Sequence, residues 1–129
     1  MKRSFVRYHL PACAWATLIF IGSSLSSVPT PKTGLLSWDK AAHFAEFAIF
    51  GVLLIWAFRG RLVPALIVGV GWGMLDEIHQ LFVTGRNSNV FDAMADALGV
   101  IAVAGVFLLL RAFHFSNRNS SVGSQLDGK

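Results

Sequence analysis

Residues 70–83 read VGWGMLDEIHQLFV, an apolar run interrupted by Asp76, Glu77, His79 and Gln80. A charged side chain at the centre of a bilayer costs about 2.5–3.5 kcal/mol on insertion scales. Such residues usually face the interior of a helix bundle and often belong to a functional site. This stretch therefore predicts a membrane-spanning helix that turns its polar groups towards other helices.

The composition indicates that lipid covers much of this protein. Its 129 residues are 54% hydrophobic and 14% charged, with a mean hydropathy of +0.59. A soluble domain of this length has too little interior to bury so much apolar surface. The formal net charge of +4 comes mostly from the termini and loops. Because no basic stripe with interleaved aromatics accompanies it, we predict no nucleic-acid partner.

Four apolar stretches are long enough to cross a membrane, at about residues 9–28, 41–58, 62–83 and 92–114. Each approaches the ~20 residues that span a ~30 Å hydrocarbon core. The connector Arg59-Gly60-Arg61 predicts a tight helical hairpin. We therefore predict an all-α integral membrane four-helix bundle in residues 1–115. The Ser/Asn/Gly-rich residues 116–129 are predicted to be a disordered cytoplasmic tail.

The basic residues predict the orientation. With the amino terminus inside, one side holds eight basic residues: Lys2, Arg3, Arg7, Arg59, Arg61, Arg111, Arg118 and Lys129. The other side holds three: Lys32, Lys40 and Arg86. Because cytoplasmic loops carry the excess of Lys and Arg, both termini are predicted to be cytoplasmic.

The first apolar stretch has a second interpretation. A basic start, an apolar run and residues 23–27 (Ser-Ser-Leu-Ser-Ser) are similar to a signal peptide. Cleavage near Ser27 would leave three spans. Because the typical Ala-x-Ala site is absent, we predict a retained first helix. The single Cys13 excludes an internal disulfide and a cysteine-based zinc site.

Helical spacing predicts that the polar groups of three helices converge on one outward-facing pocket. Asp39, His43 and Glu46 share a helix face, as do Asp92 and Asp96. With a rise of about 1.5 Å per residue, the groups form layers. The predicted rim consists of Asp39, Arg86 and Asp92. One turn deeper lie His43, His79, Gln80 and Asp96, and roughly 10 Å below the rim lie Glu46, Asp76 and Glu77.

Small residues predict close helix packing. Gly69 and Gly73 form a Gly-x-x-x-Gly pair, and Ala95 and Gly99 repeat the spacing on the last helix. A structural alternative explains the polar residues as a network that holds the helices together. Its predicted pairs are Lys40 or Arg86 with Asp92, His43 with Glu77, and Gln80 with Asp96. In the same view, Asp92 caps the fourth helix.

Four motifs in order resemble the VanZ-like family: Trp38-Asp39-Lys40-Ala41-Ala42-His43-Phe44, Asp76-Glu77-Ile78-His79-Gln80, Gly85-Arg86, and the segment Asp92–Gly99. The resemblance covers about residues 36–105. It implies a multi-pass protein of the bacterial inner membrane, and the namesake is associated with teicoplanin resistance. The recurrent positions map to Asp39, Lys40, His43, Glu77, Gln80, Arg86 and Asp92. Many members have Asn at the position of Asp96.

The leading hypothesis is that the pocket binds, and in one version modifies, a cell-envelope component such as a lipid-linked precursor or glycopeptide. Lys40 and Arg86 at the rim are suited to phosphate. One alternative is a membrane-embedded enzyme, with His43, Glu46 and Glu77 as ligands of a divalent metal; no other cofactor is predicted. Another is proton-coupled transport. The predicted partners are membrane lipids and, because four short helices enclose little volume, a second copy of the chain.

Overall fold

The computed structural model describes residues 2–25, 38–86 and 88–126, and for residues 2–4 and 119–126 it describes the backbone alone. The described residues form four helices: α1 (Lys2–Ser24), α2 (Trp38–Ala57), α3 (Leu62–Gln80) and α4 (Val90–Leu126). All four contain a segment long and apolar enough to cross a membrane. The predicted four-helix architecture is therefore confirmed. Each helix begins and ends within a few residues of its expected bounds, except that α1 begins earlier and α4 ends later than predicted.

Large apolar side chains cover the outside of the bundle. Ile67 and Phe113, for example, are 68% and 80% exposed. In water such a surface would drive association, whereas lipid chains solvate it without cost. The protein is accordingly a multi-pass membrane protein.

The helices alternate in direction. The side chains of Lys40 and His43 on α2 contact Asp92 and Asp96 on α4, at sequence separations of 52 and 53. A nearly constant separation shows that α2 and α4 run parallel. α1 runs antiparallel to α2, because its start lies near Phe58 while its residue Trp15 lies near Glu46. One end of the bundle therefore collects the carboxyl ends of α1 and α3 and the amino ends of α2 and α4.

Glycines allow α2 and α4 to approach at backbone distance. A Cβ on Gly99 would overlap the carbonyl oxygen of Phe44 and lie 2.9 Å from the amide nitrogen of Ala48. On α3, a Cβ on Gly69 would meet Val100 at 2.8 Å, and one on Gly73 would meet Asp96 at 3.0 Å. The packing role predicted for Gly69, Gly73 and Gly99 is confirmed.

An apolar core fills the remainder of the bundle. Phe47, Phe50, Leu54 and Val100 are buried between the helices, and Ile19 joins them from α1. The two phenylalanine rings pack edge to face, with centroids 6.0 Å apart. The buried polar side chains of the described residues thus lie at one end of the bundle, above this core.

The α2–α3 connection and the carboxyl end of α4 can each be compared with the prediction from the sequence. The α2–α3 hairpin is as tight as expected, because Gly60 adopts a φ of 79° and its amide donates to Ile55 O at 2.8 Å. At the carboxyl end, α4 continues to Leu126, past the predicted end of the bundle at residue 115, and the disorder predicted for residues 116–129 stays a prediction. Extending an existing helix costs far less than nucleating one, so weak helix formers can continue it. Residues 127–129 lie outside the described residues.

We predict that Gly99→Ala destabilises the bundle, because its new methyl group has to push α2 and α4 apart. Overpacking of a close contact costs about 1–3 kcal/mol, and backbone atoms cannot move aside as side chains do. Gly105→Ala on the same helix is the matched control, since its Cβ would have nothing within 4 Å. Thermal unfolding in one detergent, followed by circular dichroism, measures both. Equal stability of the two variants would contradict the prediction.

Candidate functional site

Among the described residues, seven polar residues are buried at this end of the bundle, which we call the polar end: Ser23, His43, Asp76, Glu77, Gln80, Asp92 and Asp96. They come from all four helices. We call this set the polar cluster. Six of the seven belong to the predicted pocket set, and Ser23 is an addition from α1. The structure brings them together as a packed network in which most side chains bind one another.

Two ionic contacts join α2 to α4. Lys40 Nζ donates to Asp92 Oδ1 at 2.7 Å, and His43 Nδ1 lies 3.0 Å from Asp96 Oδ1. The second contact lies one helical turn deeper in the bundle than the first, in agreement with the layers predicted from the sequence. The expected pair of Lys40 with Asp92 is confirmed. The expected pair of His43 with Glu77 is wrong, because the parallel register of the two helices places Asp96 beside His43.

Asp92 is free to bind Lys40 because another residue caps α4. The side-chain Oδ1 of Asn89 accepts the backbone N–H of Phe91 at 3.1 Å, which is a typical amino-terminal cap. The interpretation of Asp92 as the cap is therefore wrong. Asp92 still lies in the first turn, where a negative charge interacts favourably with the helix dipole.

Glu77 ties α3 to the start of α4. Its Oε2 accepts hydrogen bonds from Ser88 Oγ and from the backbone N–H of Asn89, both at 2.9 Å. One of its oxygens also lies within 4.8 Å of donor atoms of His43 and Asp96. Glu77 therefore shares the layer of His43 rather than the deeper one predicted, because its long side chain extends towards the end of the bundle.

Asp76 is held by a neighbour on its own helix and by one on α1. Its Oδ2 accepts from Gln80 Nε2 at 2.8 Å and from Ser23 Oγ at 2.7 Å. The expected pair of Gln80 with Asp96 is wrong, because Gln80 reaches the carboxylate one turn back on α3. Sequence reasoning also missed Ser23, whose only signal is a polar residue ending an apolar run.

His79 lies at the edge of the cluster and also contacts α1. Its ring stacks on Phe20 with centroids 4.3 Å apart, and its Nε2 lies 2.9 Å from Ser24 Oγ. Ser24 donates its single hydroxyl hydrogen to Phe20 O at 2.7 Å, so Nε2 of His79 supplies the hydrogen of the shared bond. Ser23 and Ser24, which resembled a cleavage site, are contact residues in the folded bundle.

Arg86 has a structural position. Its guanidinium donates to Gly22 O at 2.8 Å and to Leu25 O at 3.3 Å, at the carboxyl end of α1. The last carbonyls of a helix have no partner within it, and a basic side chain can satisfy them. Gly85 adopts a φ of 84°, which permits the turn that presents Arg86. The Gly-Arg motif therefore fastens α1 to the α3–α4 connection.

The two remaining predicted residues lie at the margin. Asp39 is exposed in the first turn of α2. Glu46 is half-buried, and its backbone carbonyl accepts the indole N–H of Trp15 at 3.1 Å. Within the described residues, Glu46 belongs to neither group of side chains close enough to share a metal ion. His43 and Glu77 from the predicted metal set do come together, with Asp96 in the place expected for Glu46.

The cluster has an excess of acceptors. Asp76 Oδ1, Glu77 Oε1 and Asp96 Oδ2 are buried and have no hydrogen-bond partner among the described residues. An unpaired buried oxygen costs about 1–3 kcal/mol, and more when it is charged. Chemically, the arrangement can accept protons, hydrogen-bond donors or a cation, and the carboxylate of Asp96 orients the ring of His43.

A four-span membrane protein with a buried acid–histidine cluster at one end is thus defined by the fold. The sequence matches the VanZ/LLP1 family over residues 4–111, so the chain belongs to that family. The match includes α1, which the motif resemblance had not covered. This agrees with the contacts of Ser23, Ser24 and Arg86, which make α1 part of the same packed unit.

An uncharacterised protein of Schizosaccharomyces pombe is 30% identical over 95 residues, which cover 70% of this chain and 56% of that protein. The chain therefore spans about half the length of this relative. No solved structure matches the chain. The similarity extends to a eukaryote, so it does not by itself point to a molecule found only in bacteria.

We predict that Lys40→Met destabilises the protein by about 3–5 kcal/mol, because it leaves the buried carboxylate of Asp92 without its cation. The double variant Lys40→Met/Asp92→Leu removes both charges and should recover most of the loss. Chemical or thermal unfolding in one detergent compares the three proteins. An equal loss in the single and double variants would contradict this account of the pair.

Arg86→Gln should loosen the carboxyl end of α1, because two hydrogen bonds to its carbonyls are lost. We expect faster hydrogen–deuterium exchange at residues 20–25, with α2 unchanged. Arg61→Gln is the matched control, since Arg61 is an exposed arginine at the opposite end of the bundle. Exchange at residues 20–25 that is the same in both variants would show that Arg86 does not hold α1.

Proposed function

We propose that this protein binds the headgroup of a cell-envelope molecule at the polar end of its bundle. The observation that carries the proposal is the convergence of seven buried polar residues from four helices. Polar contacts between membrane helices contribute on average about 0.6 kcal/mol per pair. Insertion of a charged residue costs about 2.5–3.5 kcal/mol at the centre of a helix, several times the contribution of one such contact, and the cost falls towards the helix ends. The stabilisation of helix packing therefore does not account for so many ionisable residues in the polar cluster.

The contacts favour a ligand that donates hydrogen bonds. Three buried carboxylate oxygens lack a donor, so hydroxyl and ammonium groups complement them. The phosphate contact expected of Lys40 and Arg86 is less favoured, because Lys40 binds Asp92 and Arg86 binds the carbonyls of α1. Of the expected ligands, a lipid-linked molecule with a sugar or amine headgroup fits this chemistry best.

The proposal places the polar end on the extracytoplasmic side. The opposite end carries Arg59, Arg61 and Arg111, and a surplus of basic residues is typical of cytoplasmic ends. Trp38, the first residue of α2, is 92% exposed at the polar end. Tryptophan commonly lies at the level of lipid headgroups. A headgroup would therefore meet Trp38 and Asp39 before it reaches the buried carboxylates.

Proton-coupled transport is a weaker proposal. Below the polar cluster, the described core consists of apolar side chains such as Phe47, Phe50 and Leu54. A relay across the membrane needs ionisable groups or water along its length. These side chains favour binding at one end over conduction through the bundle.

We predict that a photo-crosslinking amino acid at position 38 captures a headgroup-bearing molecule in the native membrane, to be identified by mass spectrometry. Position 38 is preferable to position 86, since replacing Arg86 would release α1. The same probe at Phe113, an exposed aromatic residue on α4, reports contact with bulk lipid. Glu77→Gln with the probe at position 38 should reduce capture. Identical adducts at positions 38 and 113 would refute the proposal.

A further inference from the structure

Three side chains of the polar cluster offer donor atoms to a common point. His43 on α2, Glu77 on α3 and Asp96 on α4 each present one nitrogen or oxygen, and these atoms lie within 4.8 Å of one another. Glu77 and Asp96 are more than nine-tenths buried, and the side chain of His43 is 11% exposed. The donors thus come from three separate helices that the fold holds in fixed positions.

Unpaired oxygen atoms of these side chains indicate that the site can hold a cation. Glu77 Oε1 and Asp96 Oδ2 are buried without a hydrogen-bond partner among the described residues, and Asp76 Oδ1 nearby is in the same state. The cationic Lys40 is already bound to Asp92. Three carboxylates therefore face a single imidazole, and a buried excess of negative charge is costly unless a cation or protons compensate it.

The donor types and their spacing favour a metal ion. His43 Nδ1 and Asp96 Oδ1 are 3.0 Å apart and share a hydrogen bond, whose proton the ion would replace. Two ligands of a tetrahedral Zn²⁺ with bonds of about 2.0–2.1 Å lie about 3.3 Å apart. Mg²⁺ and Ca²⁺ prefer oxygen ligands throughout, whereas Zn²⁺, Mn²⁺ and Fe²⁺ accept imidazole with carboxylate. We propose that His43, Glu77 and Asp96 bind a divalent transition-metal ion, with Zn²⁺ preferred.

Such a site keeps a coordination position open. Three protein ligands plus an exchangeable fourth is the arrangement of zinc sites that act on a bound molecule. Ser88 and the amide of Asn89 bind the second oxygen of Glu77 and so fix its orientation. Hydrogen bonds of this kind tune the ligands of metal sites. This inference does not rest on the proposed function, although the ion would take two of the three acceptors offered there to a headgroup, Glu77 Oε1 and Asp96 Oδ2.

A second group of three residues competes for His43. Asp39, His43 and Asp92 also place donor atoms within 4.8 Å of one another. Asp92, however, already accepts the ammonium of Lys40 at 2.7 Å, and Asp39 is exposed. A metal ion there would have to displace Lys40. The group of His43, Glu77 and Asp96 is therefore the better site.

The test uses the full chain, purified in detergent without a polyhistidine tag, stripped with a chelator and then dialysed against Zn²⁺. Elemental analysis should find about one ion per chain, as expected for a mononuclear site. Glu77→Gln and Asp96→Asn should each lower the metal content at least tenfold. Asp39→Asn and Glu46→Gln are matched controls and should retain it. Circular dichroism and gel filtration verify that every variant is folded.

X-ray absorption of the zinc-loaded wild-type protein provides a readout that needs no variant. We expect nitrogen and oxygen ligands with one imidazole. A wild-type protein that stays metal-free after loading, or a spectrum without imidazole, would overturn the proposal. Loss of metal in Asp39→Asn but not in Glu77→Gln would overturn it too, by moving the ion to the competing group. Metal binding without capture at position 38 would refute the proposed function alone.

Discussion

The close approach of α2 and α4 at Gly99 sets the geometry of the rest of the structure. Because no side chain separates Gly99 from the backbone at Phe44 and Ala48, the two parallel helices are held in one register. That register places Lys40 beside Asp92 and His43 beside Asp96. A shift of one residue would rotate Asp96 away from His43, since neighbouring helical residues point about 100° apart.

The ends of the other helices depend on this pair. Glu77 binds the start of α4 through Ser88 and Asn89, so α3 follows the position of α4. Arg86 and Asp76 then hold α1 through its last turn. Each connection uses a charged group to satisfy backbone or hydroxyl groups that lipid could not solvate. The motifs of the family are therefore partly structural, and Gly85-Arg86 is the clearest case.

Helical spacing predicted the face on which most of the polar residues lie, with Asp39 and Glu46 at its margin, and length predicted the spans. The contact of Lys40 with Asp92 was expected because the two residues have opposite charges and similar predicted depths in the bundle. Gln80 was assigned to Asp96, whereas its partner is Asp76 on the same helix. Helical spacing does not tell whether a side chain binds a residue one turn away on its own helix or a residue on a neighbouring helix. The contribution of α1 was missed for a different reason, since Ser23 and Ser24 carry no charge and serine pairs are common at helix ends.

The position of the Lys40–Asp92 contact constrains what can enter the site. It lies one turn nearer the helix ends than the contact of His43 with Asp96, so a headgroup that enters from this end would reach it first. Displacing Lys40 leaves Asp92 buried and unpaired, which is unfavourable unless the incoming group supplies a donor. A hydroxyl or ammonium group can do so, whereas a phosphate would repel Asp92. Under the proposed function, the same contact that stabilises the bundle would therefore favour a ligand that bears hydrogen-bond donors.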